Sequence, residues 1–491
     1  MKYIIALTII CLTSFSIYSQ NITVKVIDSK TGNPVQFASI KTGKHSGVIS
    51  NEEGYFTIRT EDKKLESIAI SCLGYQNKTI SIQKIRDLDF IINLEQAINQ
   101  LDEVYISNKA PNADSIITKV KSKLAINYSS NLNKYTIFRR ATNYIDFKNL
   151  EFEIEKASHV KKKNLESAND NLKALSKKIR ESNMVQFKDF NGEFYALNKD
   201  SSKIVVNKAT QLLDSKNDFS IEQIQEKSQN IILKYLDTTK TYKLKSGLFK
   251  IEDSLSLKDE NSEEENKKEY EVTSLNEETR SFLNRSQFYK NSFLNSLLSF
   301  DLYEYTYKDL AYNNNELTHV INFKPKKSKA IYTGQLFISD DTYAITRVDY
   351  KYYKNRHGTK VNLKLILGVK YIENLSKGKL IFEKDSSNIY HPKYLKHTTG
   401  SYFYVNRDLK FIENSRARNK VSFSFKIEGD NRNKVELLFT ANNKLGLQSF
   451  EAIKQKKKAP YQQLSRFEKS IWKNEETLEP SKEMKTFNKQ N

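Results

Sequence analysis

The chain has 491 residues, a formal net charge of +21, 38% hydrophobic residues and two cysteines. That length suits two or three domains, and a hydrophobic share below the average of soluble proteins implies that several parts are solvated or inserted. Lysine is scattered rather than clustered, so the charge speaks for solubility and not for a nucleic-acid partner; two cysteines exclude a disulfide framework and a multi-cysteine metal site.

The chain opens "MKYIIALTIICLTSFSIYSQ": Lys2, an apolar run from Tyr3 to Leu12, then a Ser-rich end. This is the plan of a secretory signal peptide over residues 1–20, with cleavage near Ser19 or Gln20. It places the mature protein outside the cytoplasm, in the periplasm or associated with an outer membrane. Cys11 lies inside the apolar run and lacks the small residues that a lipoprotein signal sets before its cysteine. Cys72, in "IAISCLGY", is expected to be a small buried hydrophobe. No later segment approaches ~18 consecutive apolar residues.

Residues 21–97 read as short, closely spaced strands: "ITVKVID", "VQFASIK", "GYFTIRT", "ESIAISC", "KTISI" and "FIINLE". The turns between them hold Gly32 and Gly54, where a positive φ costs glycine little, and Pro34, which can begin a strand without breaking its ladder. Short alternating strands at this density predict a seven-stranded type of β-sandwich. Its expected core is Val24, Val26, Phe37, Phe56, Ile58, Ile68, Ile70, Ile80, Phe90 and Ile92.

Three motifs, "TGNPVQFASI", "GVISNEEGYFTI" and "ISCLGYQNKTISI", occur in this order. In them the segment resembles the carboxypeptidase-regulatory-like domains, which implies a transthyretin-type sandwich without a peptidase site. Leu101–Val104, "LDEV", resembles the segment that often follows this domain in exported Bacteroidota proteins, including at the front of TonB-dependent transporters. The remainder is too short and too helical for a 22-stranded barrel.

Residues 98–250 are read as a linker and helix-rich region. "PNADSIITKVKSKLAINY" is an amphipathic helix with Asp114 as N-cap, and "YTIFRRATNYIDF" is a strand. Residues 156–182 carry Leu165, Ala168, Leu172, Leu175 and Ile179 as a packing stripe, and "SIEQIQEKSQNIILKYL" is a further helix. Residues 251–285 form an acidic segment expected to be a flexible insert. Residues 286–446 are an antiparallel β domain with nine strands, in which Asp340 and Asp341 turn a hairpin and "KVNLKLILGVKYI" runs as one strand. This half resembles sheet domains of unassigned function in exported Bacteroidota proteins, and its rhythm resembles the curved sheet of lipoprotein-carrier folds, which implies an apolar ligand. Residues 447–491 are a basic tail, with Trp472 expected to anchor it on the sheet domain.

The sequence carries no recognisable catalytic set. Six histidines (His45, His159, His319, His357, His391 and His397) form no zinc-peptidase spacing, and no nucleophile elbow or phosphate loop occurs. No catalytic, cofactor-binding or metal-binding residue is therefore assigned, and no cofactor. The fold class is mainly β with helices (α+β): sandwich, helical linker region and a larger curved antiparallel sheet. The function read from this is a non-catalytic exported cell-envelope protein with a binding or scaffolding role toward an envelope protein or an apolar ligand. Two alternatives stay open, a small outer-membrane β-barrel or transporter-associated component, and an enzyme of unrecognised type.

Overall fold

The computed structural model describes residues 21–43, 46–60, 65–97, 111–128, 132–182, 184–213, 230, 234–247, 249–257, 268–313, 316–473 and 475–488. The leader at 1–20, His45, the "LDEV" segment and most of the helix expected at 220–236 lie outside them.

The N-terminal segment is a β-sandwich. One sheet pairs β1 (Asn21–Asp28) with β4 (Tyr55–Arg59) and β7 (Ile91–Leu94); the other runs β3 (Gly47–Ile49), β2 (Ser39–Lys41), β5 (Ser67–Ser71) and β6 (Lys78–Ser81). Helix α1 (Ile82–Asp87) follows β6, capped by the Ser81 side chain. Gly32 and Gly54 take the expected positive φ, 69° and 78°, and a Cβ on Gly54 would stand 2.5 Å from the Val26 carbonyl oxygen. Eight of the ten expected core residues are buried. The other two differ for a shared reason, a left-handed backbone that turns the side chain out. Phe90, at φ 61°, is exposed, and Phe37, at φ 59°, leaves the sandwich interior and stacks on Tyr394 with ring centroids 5.5 Å apart.

Most of the remaining strands build one 14-stranded sheet, and two short strands pair apart from it. Helix α2 (Ala113–Asn127) precedes it, with Asn112 rather than Asp114 as the N-cap: the Asn112 side chain accepts from the Ser115 N–H at 3.0 Å. The first strands are β8 (Asn133–Ala157), β9 (Met184–Ala196) and β10 (Ser202–Leu212), with α3 (Lys162–Arg180) between β8 and β9. On α3, Ala168, Leu172 and Ile179 of the expected stripe are buried, and the Asn169 side chain bonds both the N–H and the C=O of Ile154 on β8. A hairpin, β11 (Thr241–Ser246) and β12 (Phe249–Ser256), comes next, then β13 (Glu269–Glu271), α4 (Val272–Asn284) and α5 (Phe293–Leu297).

Residues 258–267, the centre of the acidic segment expected to be a flexible insert, lie outside the described residues; its described flanks are a strand at 249–256 and a strand and helix at 269–284. Val272, Leu275, Phe282 and Leu283 give α4 an apolar face, spaced at i, i+3, i+10 and i+11, that the surrounding charges obscure in the sequence.

The remaining sheet strands are β14 (Tyr303–Asn313), β15 (Glu316–Pro325), β16 (Tyr332–Ser339), β17 (Ile345–Tyr352), β18 (Lys360–Leu363), β19 (Val369–Lys384), β20 (Tyr390–Glu413) and β21 (Lys420–Lys444). A single helical turn, α6 (Lys364–Leu367), joins β18 to β19, so "KVNLKLILGVKYI" is a hairpin and not one strand; Gly368, at φ 62°, ends the turn. The tail adds α7 (Leu447–Ala452), β22 (Lys458–Pro460), which pairs β13, β23 (Gln462–Leu464), a 3-10 turn at Lys469–Trp472 and α8 (Lys482–Thr486).

The main path of the sheet is β14-β15-β16-β17-β19-β20-β21-β8-β9-β10-β23. It ends at β14 on one side and β23 on the other. The barrel alternative is therefore corrected: the sheet is open. Residues 133–212, expected in a helix-rich linker, supply three of its strands, because β21 pairs antiparallel with β8 over nearly the full length of both. Among the described residues, no helix is long and apolar enough to cross a membrane.

Both faces of the sheet's middle are covered, which is why residues 137–142 and 390–395 are buried without alternation. On one face α2, α4 and α5 pack over Ile137, Leu336, Leu380, Leu395 and Leu437. On the other, Phe138, Tyr394 and Leu438 merge with the sandwich core. Trp472 sits at that junction, buried edge-on against Phe138 at 5.3 Å, and anchors the tail.

Phe138→Ala is expected to cost about 3–5 kcal/mol, the usual loss for truncating a fully buried phenylalanine. A urea titration followed by the emission of Trp472, the only tryptophan in the chain, measures it directly.

Candidate functional site at the seam between sandwich and sheet

The sheet face beneath the sandwich carries one row of polar residues that are direct cross-strand partners. From β14 to β23 the row reads Thr306, Asn322, Gln335, Asp349, Lys379, Lys396, Glu436, Arg140, Asp189, Thr210 and Gln462. The register of every pairing on the path places one of its residues in this line. Six of them are ionisable, three cations and three anions, and opposite charges on neighbouring strands attract.

Arg140 and Asp189 are the most deeply buried of these. The Arg140 Nε donates to both Asp189 oxygens at 3.0 and 3.1 Å, and a terminal guanidinium nitrogen donates to Oδ2 at 2.7 Å. Burial works against both charges; Asp189, Glu436 and Glu479 around the guanidinium outweigh it and raise the Arg140 pKa, whereas burial prevails at Asp189 and pushes its carboxyl up. A guanidinium does not give up its proton, and the fork uses both carboxylate oxygens as acceptors, so the pair is ionised. Next in the row, Glu436 accepts from the Tyr394 hydroxyl at 2.7 Å. Burial raises the Glu436 pKa, but Lys434, Lys396 and Arg140 bring it below its ordinary value.

The sandwich and the tail are tied to this face. Glu52 pairs with Lys396 and stands 3.9 Å from the Lys434 Nζ. The buried Lys393 ammonium donates to the Gly47 carbonyl at 2.8 Å, and Ser46 bridges to Ala441 of β21. From the tail, Glu479 accepts from the Thr57 hydroxyl and from Lys485, and the Lys482 N–H donates to Glu53 at 2.8 Å.

Where the row runs out from under the sandwich, a cleft of about 560 Å³ opens. Gln36, Phe37 and Glu52 form its sandwich wall; Gln335, Asp349, Lys351, Lys377, Lys379 and Lys396 belong to its sheet wall. Lys379 donates to both oxygens of Asp349 at 2.7 and 2.9 Å, and Arg347 donates to the same carboxylate. Lys379 and Lys396 also lie over the Phe37 ring, 5.0 and 5.6 Å from its centroid. Burial, with Arg347 and Lys396 nearby, lowers the Lys379 pKa to about 8 in spite of Asp349. Burial raises the Asp349 carboxyl, but its bonds to Arg347 and Lys379 hold it below the usual range. Lys351 and Lys377, cross-strand partners on β17 and β19, are exposed and make no ion pair among the described residues. Three further cavities along the seam, of about 290, 340 and 50 Å³, share Glu383 in their walls.

The residues singled out from the sequence are dispersed. Cys72 is buried, with its thiol pushed up to about 11 by desolvation. Asp340 turns the β16–β17 hairpin and accepts from the His319 Nε2 at 2.7 Å. His391 and His397 have separate partners, Asp385 at 3.0 Å and Ser376 at 2.9 Å. Burial, with Arg285 nearby, lowers the His397 pKa to about 3, so the Ser376–His397 pair is a neutral hydrogen bond beneath α4. Among the described residues, no group of three His, Cys, Asp or Glu is placed to hold a metal ion. Sequence reasoning missed the seam residues. Their signal is a charge at one parity of otherwise apolar strands, as in "ITRVDYKY" and "GKLIFEK".

The fold is thus a small β-sandwich seated on a large open sheet. Residues 22–106 match the family model of the CarboxypepD_reg-like domain, so the sandwich is a carboxypeptidase-regulatory-like domain, of a regulatory and not a catalytic type. No curated protein matches the chain.

Arg140→Met is expected to cost about 3–5 kcal/mol because it strands a buried carboxylate, and adding Asp189→Leu should recover most of that loss. Denaturant midpoints of the three proteins decide it. Lys379 adds a pH dependence. Its folded pKa lies below the unfolded one, so between about pH 8 and the ordinary lysine value the unfolded chain holds more protons. Stability of the wild type relative to Lys379→Met should therefore rise with pH across that window, as read from urea titrations at stepped pH.

Proposed function

We propose that the protein is a non-catalytic, exported cell-envelope component with a binding or scaffolding role, and that the cleft at the seam holds an acidic segment of a partner. The observation that carries this reading is the composition of the cleft: four lysines against two carboxylates, with both carboxylates already paired to lysines and the outer two lysines, Lys351 and Lys377, open to solvent. A wall of ammonium groups, amides and one aromatic ring suits carboxylates delivered by an extended chain. The same lining argues against the apolar ligand, since an acyl chain would strand these charges without hydration. The regulatory domain type supports a module that docks and positions, and the leader supports export.

The test uses a fluorescein-labelled oligoglutamate peptide and fluorescence anisotropy. The wild type should bind it saturably and more weakly as salt rises. Lys351→Glu with Lys377→Glu should weaken binding by about tenfold or more. A wild type that does not bind, or a double variant that binds as well, sinks the cleft as the site. Mass spectrometry of the mature protein, expected to begin next to Ser19 or Gln20, tests the export.

A further inference from the structure

The sheet has a second unusual feature, far from the cleft. β19 and β11 both pair with β20 on the side opposite β21, β19 up to Val405 and β11 from Leu409. Beyond the stretch of β19 that pairs β17, the outermost strands on that side are β18 and β12, and the α6 turn follows β18, where the Asn406 N–H donates to the Gly368 carbonyl at 2.8 Å. Twelve large hydrophobic side chains are exposed among the described residues, and six of them, Phe249, Ile251, Val361, Leu363, Leu365 and Ile366, gather along this one edge. Leu365 is fully exposed and Ile366 is 74% exposed.

The β18–α6 tip is basic, whereas on β12 the exposed Glu252 and Asp253 stand next to Ile251. From Lys354 to Ile372 the chain holds five basic residues, Lys354, Arg356, Lys360, Lys364 and Lys370, and no acidic one. Behind the tip stand tyrosines: the Lys364 ammonium lies 4.1 Å from the centroid of Tyr404, and that of Lys370 lies 5.2 Å from Tyr402. From outside inward the order is aliphatic, then ammonium and phenol. This is the layering of a segment at a lipid–water boundary, with alkyl groups among the acyl chains and lysine and tyrosine at the headgroups. A strand from another protein fits less well: it would pair with β18 or β12 but leave Leu365 and Ile366 uncovered on their turn, and edge lysines oppose such pairing.

We propose that this edge docks the protein onto an anionic lipid bilayer, with Leu365 and Ile366 entering the acyl boundary and Lys360, Lys364 and Lys370 meeting phosphate headgroups. The experiment is flotation of the full chain with phosphatidylglycerol-containing vesicles and with pure phosphatidylcholine vesicles. The wild type should float with the anionic vesicles and much less with the neutral ones. Leu365→Ser with Ile366→Ser, which leaves every charge in place at two solvent-facing positions, should reduce flotation by about tenfold. A Leu365→Trp variant should shift its emission to the blue on adding anionic vesicles. Equal flotation of wild type and serine variant would mean that net charge alone holds the protein, and would overturn the proposal. So would a wild type that ignores both vesicles, including one that forms a dimer which the serine pair splits.

Discussion

Eleven strands meet along a single line of polar side chains, from Thr306 on β14 to Gln462 on β23, and the placement of the sandwich depends on it. Apolar faces alone would let sandwich and sheet slide over each other, since hydrophobic contact carries no direction. Buried charges do not permit that. Moving Glu52 away would take from the largely buried Lys396 its ion-pair partner, and moving Gly47 away would leave the buried Lys393 with Glu383 alone. The row also links the register of distant strands, because a one-residue slip of β8 against β21 would send Arg140 to the opposite face.

The sandwich was legible in the sequence because its strands are short, its turns carry glycine at positive φ, and each strand buries one face. Phe37 and Phe90 were misplaced there, since alternation does not register a left-handed residue that reverses a side chain. The large sheet was legible as strands but not as a unit. The partner of β8 lies some 280 residues further on, and periodicity within a segment says nothing about which segment it pairs with. The seam residues stayed hidden for a related reason. A lone Asp349 or Lys379 on a strand reads as solvent-facing polarity, and only the stacking of β17, β19 and β20 puts them in one cleft beside Phe37. "KVNLKLILGVKYI" failed differently: its alternating lysines imitate a strand across a turn that Gly368 makes possible.

The structure thus separates two surfaces. The seam is polar, partly enclosed and built from both the sandwich and the sheet, so a ligand bound there would sense how the two are seated. The β18–α6–β12 edge is apolar and open, basic at its β18–α6 tip, and belongs to the sheet alone. The membrane docking proposed for that edge would leave the face that holds the regulatory-like domain away from the bilayer.

Charge pairing is what should fix the sandwich on the sheet in one position. Pulsed electron spin resonance between nitroxide labels at Thr31→Cys on the sandwich and Lys308→Cys on β14, with both native cysteines replaced, measures this most directly; both sites are solvent-exposed. A single narrow distance distribution, broadened when Glu52 and Lys393 are replaced by glutamine and methionine, is the expected result. A broad distribution in the otherwise native protein would contradict it.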